Sequence, residues 1–200
     1  MQILVEELAR PMAIQWERGM TDDEYFQFCA NNPDVRIERS AEGDILIMSP
    51  VGGESGFRNS ELTVQLGTWA RKDGRGRAFD SSVEYFLPSG AAYSPDASWV
   101  LRSRLDKLTR EEKRKFPRLC PDFIVELRSP SDRLAKLKAK MREWIENGAQ
   151  LGWLLDPDRR TVYIYRPGRE PEQLVNPERI DGEGPVAGFV LSLADIWAGL

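Results

Sequence analysis

The sequence predicts an α/β domain whose central sheet is covered by helices. Three observations lead there. Helical spacing and short strand-like runs alternate along the 200 residues. The apolar runs 122–128 and 151–156 flank a helical pattern over 132–147, as in a crossover joining parallel strands. Hydrophobic residues are 41% and charged residues 30% of the chain, which fits a packed globular protein and not a disordered chain, a collagen or a disulfide scaffold.

The elements follow in order. Thr21-Asp22-Asp23-Glu24 is a capping box, with Thr21 capping the first turn and Glu24 reaching back. Tyr25, Phe28 and Cys29 then share one helical face, and Pro33 stops the helix. Residues 36–48 read as two strands around the turn Ala41-Glu42-Gly43-Asp44. From 54 to 72 the pattern is helical: Leu62, Leu66 and Trp69 form one stripe, ended by Gly74 and Gly76. One strand is expected over 78–87 and a second over 94–101, with a turn at Pro88-Ser89-Gly90 between them. Thr109 opens a short polar helix that ends before Pro117, and 122–128 is a third strand. Ser131 is expected to cap the helix that runs to Asn147, where Gly148 stops it. Strands 151–156 and 161–165 follow, joined by Pro157-Asp158-Arg159-Arg160. The tail is rich in Pro, Gly and acid. No segment reads as an interdomain linker, so 1–200 is expected to form a single domain, with a core over 20–168 and the tail 169–200 packed on it.

The chain contains no histidine. Ser-His-Asp and Cys-His triads and HExxH zinc sites are therefore excluded within it. Its two cysteines, Cys29 and Cys120, are far apart and cannot form a Cys-rich zinc site. A hydrolytic metal here would be held by oxygen, which points to Mg²⁺ or Mn²⁺. No apolar run approaches the ~20 residues of a membrane span. The acidic start, broken by Pro11, lacks the features of a signal peptide. The expected setting is reducing and cytoplasmic.

The net charge of −4 is unevenly distributed. Residues 71–142 carry 18 Lys/Arg against 10 Asp/Glu, and the rest carries 10 against 22. Such a basic middle fits either a phosphate footprint or solvated helix faces. Within it, Arg102 to Arg118 holds 8 basic and 3 acidic residues, a segment that could track a nucleic-acid backbone.

Three positions could carry chemistry. Asp96 follows Pro95 at a strand entry, which presents its carboxylate at a sheet end; a plain turn aspartate is the alternative. Glu126 lies inside an apolar strand, on the same face as Ile124 and Asp122. An ionised carboxylate there needs a partner or a metal. On the next helix the apolar face holds Trp144, Leu137, Met141, Leu134 and Ile145. Lys140 lies one step outside that face beside Trp144, and Lys138 just outside its opposite edge. Either could lean back toward the sheet or extend to water, and periodicity does not choose between them. Two acids and a lysine suffice for metal-assisted phosphodiester hydrolysis without histidine.

The run Ser94-Pro95-Asp96, then Pro121-Asp122-Phe123-Ile124-Val125-Glu126-Leu127-Arg128-Ser129-Pro130-Ser131, then Lys140, then Gly152-Trp153-Leu154-Leu155-Asp156-Pro157 resembles the Uma-type branch of the PD-(D/E)XK superfamily. Ile47-Met48-Ser49-Pro50 and the helix after Gly53 are similar to it too, so the resemblance spans 20–168. It implies a restriction-endonuclease-like core, a mixed β-sheet flanked by helices, and a DNA endonuclease dependent on Mg²⁺ or Mn²⁺. It also implies that Asp96 and Glu126 hold the metal and that Lys140 supplies the helix lysine of this branch. Glu54 takes the place of an acid on the superfamily's first helix. The chain departs from the acid-x-Lys pattern at Arg128, and it lacks the histidine many relatives carry near Glu54. Pro121-Asp122 mimics the named motif, but Asp122 lies four residues before Glu126, ~13 Å along the strand, too far to share one metal. A duplex has two strands to cut, so a homodimer is among the partners the resemblance allows. The alternative reading is an inactive scaffold that binds DNA or a protein partner. A carboxylate-pair glycosidase leaves the lysine and the basic middle without a task.

Overall fold

The computed structural model describes residues 19–48 and 50–200, and the backbone of 12–14. The acidic start with Pro11, and Ser49 of the Ile47–Pro50 run, lie outside the described residues. In chain order the first elements are β1 (Met12–Ile14), α1 (Asp22–Ala30), β2 (Arg36–Arg39), β3 (Ile45–Met48), α2 (Gly53–Asp73) and β4 (Gly76–Asp80). Then come β5 (Tyr85–Phe86), β6 (Ala92–Tyr93), β7 (Ala97–Leu101), α3 (Arg102–Leu105), β8 (Phe123–Leu127) and α4 (Leu134–Glu146). The chain continues with β9 (Leu151–Asp156), β10 (Thr161–Tyr165), β11 (Glu172–Val175), β12 (Arg179–Asp181), β13 (Val190–Ser192) and α5 (Ala194–Ala198).

These residues divide into two compact units. The first takes Met1–Pro50, Glu84–Ser94 and Thr109–Leu119. Its sheet has the order β1-β3-β2-β6-β5, antiparallel throughout. The capping box of α1 forms as the sequence predicts: Thr21 Oγ1 accepts from Glu24 N while Glu24 accepts from Thr21 N. Tyr25 and Phe28 of α1 pack with Ile37, Ile45, Ile47 and Phe86 in the core of this unit. The Tyr25 hydroxyl donates to Glu84 at 2.7 Å inside it.

The second unit takes Val51–Val83, Pro95–Leu108 and Cys120–Leu200. Its central sheet has six strands in the order β11-β10-β9-β8-β7-β4. The sheet is mixed: β8 and β9 run parallel, and every other pair is antiparallel. The parallel pair is joined through α4, the crossover the sequence predicts. Period-two alternation splits the strands between two faces. Trp99, Phe123, Val125, Trp153 and Leu155 go to one core with Leu62 and Leu66 of α2, Phe189 and Ile196. Trp153 stacks on Phe189 at 5.7 Å, and Phe123 meets Trp153 edge-on at 4.8 Å. The opposite face of β8 and β9 receives α4, which buries Met141 and Trp144. Gly152 permits that approach: a Cβ there would stand 2.7 Å from Met141 Cε.

Three local expectations change. The single strand over 78–87 is two, β4 and β5, in different sheets. Asp80 breaks it by accepting from the backbone N and hydroxyl of Ser82, a side-chain turn that ends the ladder. The polar helix opened by Thr109 shortens to a 3-10 turn at Glu112–Arg114. Ser131 does not cap α4. Asp132 instead accepts from the N and Oγ of Ser129, forming a turn that delays the helix to Leu134.

Candidate active site

Asn59, Asp96, Glu126, Lys138, Lys140 and Trp144 all belong to the second unit. Pro95 and Asp96 lie outside the ladder, and β7 begins immediately after Asp96. The β7–β8 ladder ends at the pair Ala97–Val125, one residue short of Asp96, just before β7, and of Glu126 in β8. Asp96 is 9% exposed and Glu126 4%. Asp96 Oδ2 accepts from the backbone N–H of Leu127 at 2.7 Å, which holds the carboxylate against the peptide that follows Glu126. Its Oδ1 accepts from Asn59 Nδ2 of α2 at 3.1 Å.

Glu126 points to the α4 side. Two donors one helical turn apart on α4 converge on its Oε1: Trp144 Nε1 at 2.9 Å and Lys140 Nζ at 3.0 Å. The Lys140 side chain is 14% exposed. The structure thus separates the two lysines that periodicity left equal. Lys138 leans the other way, with its ammonium 3.9 Å from the centre of the Tyr163 ring.

Two buried carboxyl groups and one lysine amine lie at one end of the β7–β8 pair. The donor set is hard oxygen, which suits Mg²⁺ or Mn²⁺, and Mg²⁺ commonly takes only one or two carboxylates and keeps several waters. Among the described residues no group of three or more acidic or cysteine side chains is placed to hold a metal ion. Asn59 Oδ1, on the amide that holds Asp96, is buried and meets no donor. Such an orphaned oxygen costs about 1–3 kcal/mol unless something supplies a hydrogen bond. The residues present therefore fit a hydrated divalent cation.

A family model described as "Putative restriction endonuclease" matches residues 22–194. The chain belongs to this family, Uma2. A solved structure from Anabaena variabilis ATCC 29413, described as a putative nuclease belonging to DUF820, has a similar fold. It is 24% identical, with a TM-score of 0.73, over 90% of this chain and 98% of that one. No curated protein matches the chain. The restriction-endonuclease-like fold expected from the sequence is the fold observed. Among the described residues no helix is long and apolar enough to cross a membrane.

Within this Uma2 fold the other singled-out residues have distinct surroundings. Arg128, at the strand position where the superfamily pattern has lysine, turns to the buried Asp156 at 2.9 Å. Asp122 accepts from Leu101 N and Arg104, both at 2.8 Å, and from Gln150, at the far end of β8 from Glu126. Glu54 is not brought to Asp96: its carboxylate meets Arg58 at 2.9 Å, and Arg58 in turn donates to Ile196 O. The basic segment 102–118 is partly neutralised. Arg104 pairs with Asp122, Lys115 with Asp23 and Glu111, and Arg118 with Asp22.

The sequence reading missed Asn59 and the polar role of Trp144. Both left a signal. Asn59 extends the Leu62–Leu66–Trp69 stripe by one turn, a poor helix former on a sheet-facing position. Trp144 lies four residues after Lys140, so whatever Lys140 reaches is within reach of its indole N–H.

Proposed function

We propose that the chain is an endonuclease that hydrolyses DNA phosphodiester bonds with Mg²⁺ or Mn²⁺. The observation that carries this reading is that Asp96 is held on the N–H of Leu127, the residue after Glu126, with Lys140 on Glu126. Asp96 and Glu126 are the residues that would hold the cation, which when bound polarises a phosphodiester oxygen and acidifies water. Lys140 fixes Glu126 and supplies positive charge where the phosphoryl group gains negative charge. Leu127 N–H and Trp144 Nε1–H hold the two carboxylates in place, so little reorganisation is needed on binding.

The second reading is a scaffold that binds DNA or a protein partner without cutting. Arg128 favours it, since its guanidinium is engaged by Asp156 and not directed to Glu126. One experiment separates the two. Mg²⁺ and Mn²⁺ are titrated calorimetrically into wild type and Asp96→Ala, with and without a DNA duplex, and cleavage of the duplex is followed. Binding and cleavage in wild type that vanish in Asp96→Ala support the nuclease. DNA affinity without cation binding or cleavage supports the scaffold.

A further inference from the structure

Asn59 stands where α2 faces the sheet, and its amide is asymmetric in its contacts. Nδ2 donates to Asp96 Oδ1 at 3.1 Å. Oδ1 is buried with no donor among the described residues. Buried side-chain oxygens rarely stay unpartnered except where a water, an ion or a ligand completes them. Asparagine in a helix interior is also a poor helix former, so helix propensity does not account for it. Two carboxylates leave most of a Mg²⁺ coordination shell to water, and no third acid joins them among the described residues.

We propose that Asn59 is a positioning residue of the divalent-cation site. Its Nδ2 sets the orientation of Asp96, and its Oδ1 accepts a hydrogen bond from the hydration shell of the cation. The inference rests on the nuclease reading above and adds a residue outside its acid–acid–lysine set. Partners of metal ligands of this kind typically change metal affinity 10–100-fold when removed.

The test measures Mg²⁺ and Mn²⁺ affinity by calorimetry, without and with duplex, alongside thermal melts with and without cation. The proteins are wild type, Asn59→Ala and Asn59→Asp. Asn59→Ala is expected to weaken cation affinity at least tenfold. Asn59→Asp keeps an oxygen in place and adds a second negative charge beside Asp96. It is expected to lower the cation-free Tm yet bind the cation as tightly as wild type or tighter, so that the cation-induced rise in Tm grows. A merely structural asparagine would not produce these opposite responses. Wild-type affinity in Asn59→Ala overturns the inference and leaves the nuclease reading standing. Absence of cation binding in wild type, with and without duplex, removes both. Should Asn59→Ala fail to fold, Asn59→Leu, a better helix former that removes both amide atoms, decides: affinity at least tenfold weaker supports the role, and wild-type affinity overturns it.

Discussion

The Lys140 ammonium lies 3.0 Å from Glu126 Oε1, tying α4 to β8 through two largely buried side chains. Lys138, two residues earlier on the same helix, is seated on Tyr163 instead. This difference between neighbouring lysines gives the sharpest test of the site. Lys140→Ala is expected to reduce DNA cleavage at least 100-fold, while Lys138→Ala stays within about threefold of wild type. Lys140→Ala should still fold, at a cost of about 1–3 kcal/mol, because Trp144 continues to donate to Glu126. Cleavage rates and urea midpoints of the two variants check this. Equal loss of activity in both assigns the helix a general phosphate-binding role.

Asp96 and Asp122 are both buried aspartates in this unit, yet their partners differ. Asp122 holds a backbone N–H, Arg104 and Gln150 at the far end of β8. Asp122→Ala is expected to lower stability by about 3–5 kcal/mol, since it leaves buried donors unpaired, with cation affinity unchanged in whatever fraction stays folded. Asp96→Ala, which leaves Leu127 N–H and Asn59 Nδ2 without their acceptor, is expected to lose the cation at a stability cost of about 1–3 kcal/mol. Calorimetry paired with chemical denaturation reads both quantities. Loss of cation binding in Asp122→Ala would move the site.

Trp144 Nε1 donates to Glu126 Oε1 beside the Lys140 ammonium. Trp144→Phe keeps an aromatic ring in the core of α4 and removes only the N–H. The expected cost is about 1–2 kcal/mol in stability and roughly tenfold in kcat, with KM for DNA little changed. A KM effect with unaltered kcat would place Trp144 in substrate binding.

Burial pushes the Cys120 thiol up to about 12, and burial together with the charge of Glu84 pushes Cys29 up to about 12. Both remain protonated in the folded chain at pH 8, and both are expected to react slowly with Ellman's reagent until urea is added. An unfolded thiol ionises near pH ~8.5. From there upward the folded chain holds more protons than the unfolded one, so stability falls as pH rises toward 12. The urea midpoint should therefore drop between pH 8.5 and 11 more steeply in wild type than in Cys29→Ala/Cys120→Ala. Parallel declines would show that the thiols do not contribute.

Much of this was legible in the residues. The capping box at Thr21, the hairpin at 36–48, the α2 stripe and the β8–α4–β9 crossover all depend on short-range spacing, and each appears where the spacing places it. The misplacements are local competitions. Asp80 and Asp132 turn their side chains onto nearby backbone N–H groups and redirect the chain. At Ser131 the capping signal was genuine in type, but Asp132 forms the turn that precedes α4.

The sequence by itself determined that these 200 residues supply no histidine, that an acid sits inside an apolar strand, and that a helix bearing lysines follows it. Those facts depend on composition and periodicity, which survive without tertiary contacts. Only the tertiary structure decided which lysine reaches Glu126, because two residues on a helix differ by about 200° in direction and the sheet receives one of them. It alone set Asp96 on the N–H of Leu127, next to Glu126, since strand register is fixed by pairing between distant segments. It alone brought in Asn59, 37 residues from Asp96. A helix stripe shows which side faces inward, but the atom it meets there is chosen by the packing of the whole unit.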